Sequence, residues 1–369
     1  MRLIDTRSLE FEEFFGVTIP RYAILSHTWG EEEVTFQDWS NRNKAGYKIH
    51  AACARARADR LDYLWVDTIC IDKTNSTELS EAINSMFAWY AKSSRCYVYL
   101  SDLHKTQSSY AEDDDTAGPV HTEQLRRCRW FTRGWTLQEL LAPQYVYFFN
   151  SNWQRIGWKH DPEFCTRISK ITGIDTQYLN DRDLIFTAGF SVRMSWAARR
   201  KTTREEDIAY CLLGLFGVNM PLLYGEGKRA FLRFQEELIR RSNDQTIFCW
   251  SQPNQISGRI KYEEAAPGGV LAPHPCAFAG GEEYIPLSSR TSDYVLTNNG
   301  LSITLPAAKI NNDYFIVLLA AQTIEGKQLA LILQRSDNLY GCDPCDRLRC
   351  LPSQSFHDAC LTNLIRFFN

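Results

Sequence analysis

The chain has 369 residues, 44% hydrophobic and 23% charged, which is enough to bury one large core or two ordinary ones. A net charge of −3 excludes the basic field that nucleic acid or an anionic membrane would demand, and the short run Arg199-Arg200-Lys201 reads as a solvated helix entry. The N-terminus has no apolar signal core and no apolar run reaches the ~18 residues of a membrane span. The expectation is therefore a cytoplasmic chain whose 12 cysteines are mostly buried thiols.

In chain order, Tyr22-Ala23-Ile24-Leu25-Ser26 is the first strand, and an Ala-rich helix runs from Tyr47 to Arg60. Tyr63-Leu64-Trp65-Val66-Asp67 is nearly all apolar, as suits a strand buried on both faces of a parallel sheet. Leu79, Ala82, Ile83, Met86, Phe87 and Tyr90 then repeat at helical spacing, with Asn75 as cap and Glu78 three residues on. Cys96–Leu100 is another strand, and residues 104–122, with Glu112-Asp113-Asp114-Asp115, read as a mobile acidic loop. A helix around Trp135–Leu141 stops at Pro143 and leads to the strand Tyr145–Phe149. Strands alternating with helices predict a mainly parallel α/β sheet.

Residues 160–245 read as helical. Thr203-Arg204-Glu205-Glu206 is a capping box opening a helix through Leu212 that Gly217 closes, and a second helix spans Gly227–Arg241. Beyond residue 252 Gly, Pro and Ser increase. Tyr294–Thr297 and Leu301–Leu305 flank the hairpin signal Asn299-Gly300, and Tyr314–Leu319 and Leu329–Leu333 are further strands. This divides the chain into residues 1–250 and a smaller β-rich domain, 253–369.

Ligands of open α/β sheets bind at the carboxyl ends of the strands. Three connections there carry polar groups beside aromatic ones: Ser26, His27, Trp29 and Gly30; Asp67, Cys70 and Asp72; and Arg133, Trp135 and Glu139. Each also has a plain reading. His27 can be a structural hydrogen-bonding residue, Asp67 and Asp72 turn formers or caps, Trp29 and Trp135 packing residues, and Glu139 an exposed helix position. Glycine-rich dinucleotide and phosphate-loop motifs are absent, since Gly225-Glu226-Gly227-Lys228 lacks the spacing. Cys342, Cys345, His357 and Cys360, with Cys350 between, have a spacing that can hold zinc. Reduced loop cysteines are the alternative, and no metal is assigned.

The strings Tyr22–Glu33, Leu64–Asp72 and Arg133–Pro143 resemble the three signature blocks of the fungal heterokaryon-incompatibility (HET) domain. Trp196–Arg200, Thr203–Tyr210 and Met220–Gly227 fit the same family, so the resemblance covers residues 1–250. HET domains are related to TIR domains, which implies a TIR-like (flavodoxin-like) parallel sheet with helical additions. The plant-type TIR motif Trp-Cys-Leu-Asp-Glu-Leu is similar to Trp135-Thr136-Leu137-Gln138-Glu139-Leu140, and its glutamate falls on Glu139. Thr136 departs from the usual cysteine, and the acidic loop is longer than a TIR connection.

The resemblance implies a cell-death effector of fungal vegetative incompatibility and innate immunity that cleaves NAD at the nicotinamide–ribose bond. NAD is substrate, not cofactor. Glu139 would be catalytic, with Ser26, His27, Trp29, Gly30, Asp67, Cys70, Asp72, Arg133 and Trp135 lining the substrate site. It also implies self-association on activation and a receptor or partner protein. The competing reading is a non-enzymatic adaptor that self-associates and recruits a death machinery.

Overall fold

The computed structural model describes residues 1–30, 33–39, 46–104, 121–251, 269–287, 293–297, 300–336, 339–342, 348–351 and 361–367. The chain divides into two compact units, residues 1–185 with 200–202, and residues 186–199 with 203–369. The second unit thus takes in helical residues 203–251 as well as the β-rich stretch.

The first unit is built on a seven-stranded sheet of β1 (Arg2–Asp5), β2 (Phe11–Glu13), β3 (Tyr22–His27), β4 (Tyr63–Val66), β5 (Arg95–Tyr99), β6 (Val146–Phe149) and β7 (Arg155–Trp158). Its order is β2-β1-β4-β3-β5-β6-β7. The central β4, β3, β5 and β6 are parallel, as the alternating pattern predicts. The flanking β1, β2 and β7 are antiparallel and were not legible in the sequence: β2 and β7 are three- and four-residue edge strands with largely exposed side chains, and β1 has only Leu3 and Ile4 as apolar residues. All six residues of β3 are buried, so its carboxyl end delivers Ser26 and His27 from the middle of the sheet.

Helices α1 (Tyr47–Ala58), α2 (Asp67–Cys70), α3 (Ser76–Lys92), α4 (Thr122–Arg127), α5 (Thr136–Leu141), α6 (Pro162–Thr172) and α7 (Thr176–Asn180) complete this unit. The Asn75 side chain accepts the Thr77 and Glu78 amides at the start of α3, and Ala82, Ile83, Met86 and Tyr90 are buried along it. Glu78 does not close a capping box; it accepts from Arg2 at 2.8 Å and from the Asp72 amide at 2.8 Å. Every residue of α5 is buried. Its C-terminal end is held by Lys159, itself buried, whose Nζ donates to the Leu140 carbonyl of the last turn at 3.3 Å and to the Pro143 carbonyl just beyond it at 2.6 Å. A cation at a helix C-terminus is favourable with respect to the helix dipole. Residues 105–120 of the acidic loop lie outside the described residues.

In the second unit, α8 (Phe190–Ser195) is followed by α9 (Asp207–Tyr210), α10 (Leu213–Phe216) and α11 (Arg229–Ile239). Where one capped helix closed by Gly217 was expected from Thr203, there are two short ones, α9 and α10. The Glu206 carboxylate accepts the Gly225 and Gly227 amides at 2.8 and 3.0 Å, tying down a distant loop instead of capping its own helix. Gly217 ends α10 at φ +66°, where a side chain would be strained.

The β-rich part contains β8 (Tyr284–Pro286), β9 (Tyr294–Thr297), β10 (Gly300–Lys309), β11 (Tyr314–Thr323), β12 (Gln328–Ser336), β13 (Leu339–Cys342), β14 (Leu348–Leu351) and β15 (Leu361–Phe367). Its eight strands form a curled, almost wholly antiparallel sheet, and successive pairings of β10, β11, β12, β13 and β15 return to β10. β9 and β10 pair antiparallel, while Asn299 of the hairpin signal lies outside the described residues. So do Cys345, His357 and Cys360 of the zinc spacing, and the Cys342 and Cys350 side chains.

Candidate functional site

The carboxyl ends of β3 and β4 are adjacent, because Leu25 pairs with Val66 in parallel register. Ser26 and His27 finish β3, Trp29 and Gly30 lie just beyond it, and Asp67 follows β4 directly. Helix α5 packs on β3 and brings Glu139 to the same edge. The topology thus gathers residues separated by 113 positions in the chain.

Glu139 is the centre of a buried polar network. The Ser26 hydroxyl donates to Glu139 Oε2 in a short hydrogen bond, and the Trp130 indole N–H donates to Ser26 Oγ at 2.7 Å. The Tyr90 hydroxyl reaches the same carboxyl and also donates to the Leu25 carbonyl at 3.3 Å. Glu139 is only 7% exposed. Burial pushes its acid dissociation up to about 8 against the hydrogen bonds from Ser26 and Tyr90, and the nearby Asp67 charge adds to the rise. Burial thus favours the protonated form of Glu139 in the resting chain.

A second cluster surrounds His27. His27 Nε2 lies 3.2 Å from Glu33 Oε1, and Glu33 also receives Lys48 Nζ at 2.7 and 2.8 Å and the Gly30 amide at 3.0 Å. Burial alone would raise the Glu33 carboxyl, but His27, Lys48 and Gly30 together bring it down to about 2. His27 Nδ1 is buried without a hydrogen-bond partner and stands 4.0 Å from Asp67 Oδ1, beyond bonding reach. The other Asp67 oxygen accepts the Trp29 indole N–H at 2.9 Å. Glu31 and Glu32 of this segment lie outside the described residues.

The remaining sequence candidates stand apart from these two clusters. The Arg133 carbonyl accepts Arg200 Nη1 at 2.8 Å and the Thr136 hydroxyl at 2.9 Å, and Arg200 also donates to Thr136 Oγ1 at 2.9 Å. Trp135 is half-buried just before α5. Cys70 is a buried thiol whose sulfur accepts the Val66 amide at 3.4 Å, and burial pushes it up to about 12. Asp72 caps a turn, accepting Thr74 Oγ1 at 2.6 Å, the Thr74 amide at 3.0 Å and Gln37 Nε2 at 2.7 Å.

Sequence reasoning missed Tyr90, Trp130, Glu33, Lys48, Lys73 and Arg200. Tyr90 was legible only as one more apolar position on α3. Trp130 lies in a short 3-10 turn, residues 129–132, with no periodic signal. Among the described residues no group of three or more His, Cys, Asp or Glu could hold a metal ion, and no helix is long and apolar enough to cross a membrane.

Residues 22–139 match the family described as heterokaryon incompatibility protein (HET). The family likeness is carried by these residues. The chain is also 45% identical over 267 residues, 70% of its length, to the vegetative incompatibility protein HET-E-1 of Podospora anserina. It spans 19% of that relative's length. No solved structure matches the chain. The HET segment runs from the first residue of β3 to Glu139, so both polar clusters belong to it.

Proposed function

We propose that this chain is a cell-death effector of vegetative incompatibility that acts by cleaving NAD at the nicotinamide–ribose bond. The HET segment and the similarity to HET-E-1 support the incompatibility role. The parallel core, with strands in chain order 2-1-3-4, matches doubly wound sheets that bind ligands at this edge, and supports the TIR-like reading. The observation that carries the chemistry is Glu139: one buried carboxyl at the carboxyl end of β3, held by Ser26 and Tyr90 in a site that raises its acid dissociation to about 8.

In the reaction the C–N glycosidic bond breaks and its electron pair goes to the ring nitrogen, so nicotinamide leaves neutral without a general acid. Positive charge develops on the ribose carbon, and an ionised Glu139 stabilises it. Water adds to that carbon and its proton passes to the carboxylate, giving ADP-ribose. The resting site favours the protonated form of Glu139. A cationic substrate favours the ionised form, so binding releases a proton. Trp29 offers an exposed ring for stacking, and His27 Nδ1, buried without a hydrogen-bond partner, stands 4.0 Å from Asp67 Oδ1 beside it.

The test is NAD consumption by concentrated purified chain and by Glu139→Gln, which copies the shape of the protonated acid. Loss of about 10² or more in rate with an unchanged fold is expected. A wild type that consumes no NAD when concentrated, or an equally active Gln variant, removes the enzymatic reading.

The near-complete burial of Glu139 and its hydrogen bonds with Ser26 and Tyr90 favour a second reading, in which it is a structural acid of a self-associating adaptor. On that reading Glu139→Gln keeps cell killing in yeast; on the enzymatic one it abolishes it.

A further inference from the structure

The face of Trp29 already carries a cation. This side chain is 46% exposed, yet the Lys73 ammonium stands 3.5 Å from its ring centroid. Lys73 Nζ is also 3.6 Å from Asp67 Oδ2, the oxygen that accepts the Trp29 indole N–H. Trp29 follows β3 and Lys73 precedes α3, so the topology brings an indole face, a carboxylate and an ammonium to one point. The other charged groups around it are Glu33, paired with Lys48, and His27.

A second observation points to the same place. His27 Nδ1 approaches Asp67 from its other oxygen and is buried without a hydrogen-bond partner. Buried side-chain nitrogens are nearly always satisfied, and leaving one unmet is costly. Asp67 is therefore flanked by an indole bearing a cation on one side and an unmet ring nitrogen on the other.

An indole face beside a carboxylate is the arrangement that recognises organic cations. We propose that Trp29 and Asp67 form a binding platform for an aromatic organic cation, and that Lys73 is an internal cation that covers it until such a ligand displaces it. Binding is then an exchange of one cation for another on the same face. A neutral ring gains nothing from Asp67 and displaces Lys73 poorly. The identity of the natural ligand, a dinucleotide's pyridinium ring, rests on the function proposed above; the platform itself stands on Trp29, Asp67 and Lys73.

The full chain is titrated with 1-methylnicotinamide, a pyridinium, and with neutral nicotinamide, reading tryptophan fluorescence. Lys73→Met is expected to bind 1-methylnicotinamide about tenfold tighter than wild type, and Lys73→Arg to stay at the wild-type affinity. Tenfold corresponds to about 1.4 kcal/mol, within the range of a partly desolvated cation–π contact. Nicotinamide binding should not change, and adding Trp29→Leu should erase the gain. Lys73→Gln replaces the methionine variant if circular dichroism shows that it unfolds. Equal affinity of Lys73→Met and wild type, an equal gain for nicotinamide, or a gain that persists without Trp29 overturns the proposal. No turnover is involved. A chain that binds the pyridinium in this pattern yet consumes no NAD keeps the platform and loses the glycohydrolase reading; an active chain lacking the pattern does the reverse.

Discussion

A glutamate in water ionises near pH 4.5; at position 139 burial delays this to about pH 8, and that difference is a statement about stability. Between those pH values the unfolded chain has given up the proton and the folded chain has kept it. The contribution is therefore intact below about 4.5 and is lost progressively as pH rises to about 8. Glu33 behaves oppositely. Its carboxyl is lowered to about 2 in the fold, so its contribution is present above 4.5 and lost as pH falls towards 2. Denaturant unfolding across pH 4.5–8 should show stability declining in the wild type, by on the order of a few kcal/mol from Glu139. Glu139→Gln should flatten that limb. An unchanged slope in the variant would mean that Glu139 is ionised in the resting chain. The same residue was visible in the sequence through its Trp-Thr-Leu-Gln-Glu-Leu setting. Its protonation was not, because it depends on how deeply tertiary packing buries the carboxyl and on Asp67 from another element, set against the hydrogen bonds from Ser26 and Tyr90.

At the scale of elements, α3 shows how a short signal supports a distant site. Seventeen residues are started by one side chain, Asn75, and the helix ends by presenting Tyr90 to Glu139 and to the Leu25 carbonyl. Asn75→Ala should cost about 1 kcal/mol, read as a lower denaturant midpoint with unchanged slope. A null effect would show that tertiary packing alone fixes that end. The helix was legible because its apolar period is long and its cap is explicit. Helix α5 was legible only as a stretch before Pro143. Nothing local says that all six of its residues are buried or that Lys159, 18 positions beyond the end of the helix, binds the Leu140 and Pro143 carbonyls at that end. Glu206 is the converse case. Its spacing reads as a helix cap, but two glycine amides some twenty residues away bind it instead. Local and non-local donors compete for one carboxylate, and the sequence displays only the local ones.

At the scale of the molecule, we propose that the activity depends on self-association. Self-association is part of the effector reading. NAD consumption per chain should therefore rise with protein concentration, and light scattering should report larger species over the same range. A rate per chain that stays constant while species size grows would separate the chemistry from assembly.

Composition and periodicity determined the class of this protein. Apolar runs bounded by turn residues announced β3, β4, β5 and β6, and their alternation with helices required a parallel sheet. The three polar strings at the strand ends determined which residues were candidates. The tertiary structure decided what those candidates are. It paired β3 with β4 so that Ser26, His27 and Asp67 meet, withdrew Cys70 and Asp72 into packing and a turn, and set Lys73 on Trp29. The division has one cause. Hydrophobic burial is written in the order of residues along each segment, whereas charge state and pairing depend on which segments become neighbours, and only folding sets those distances.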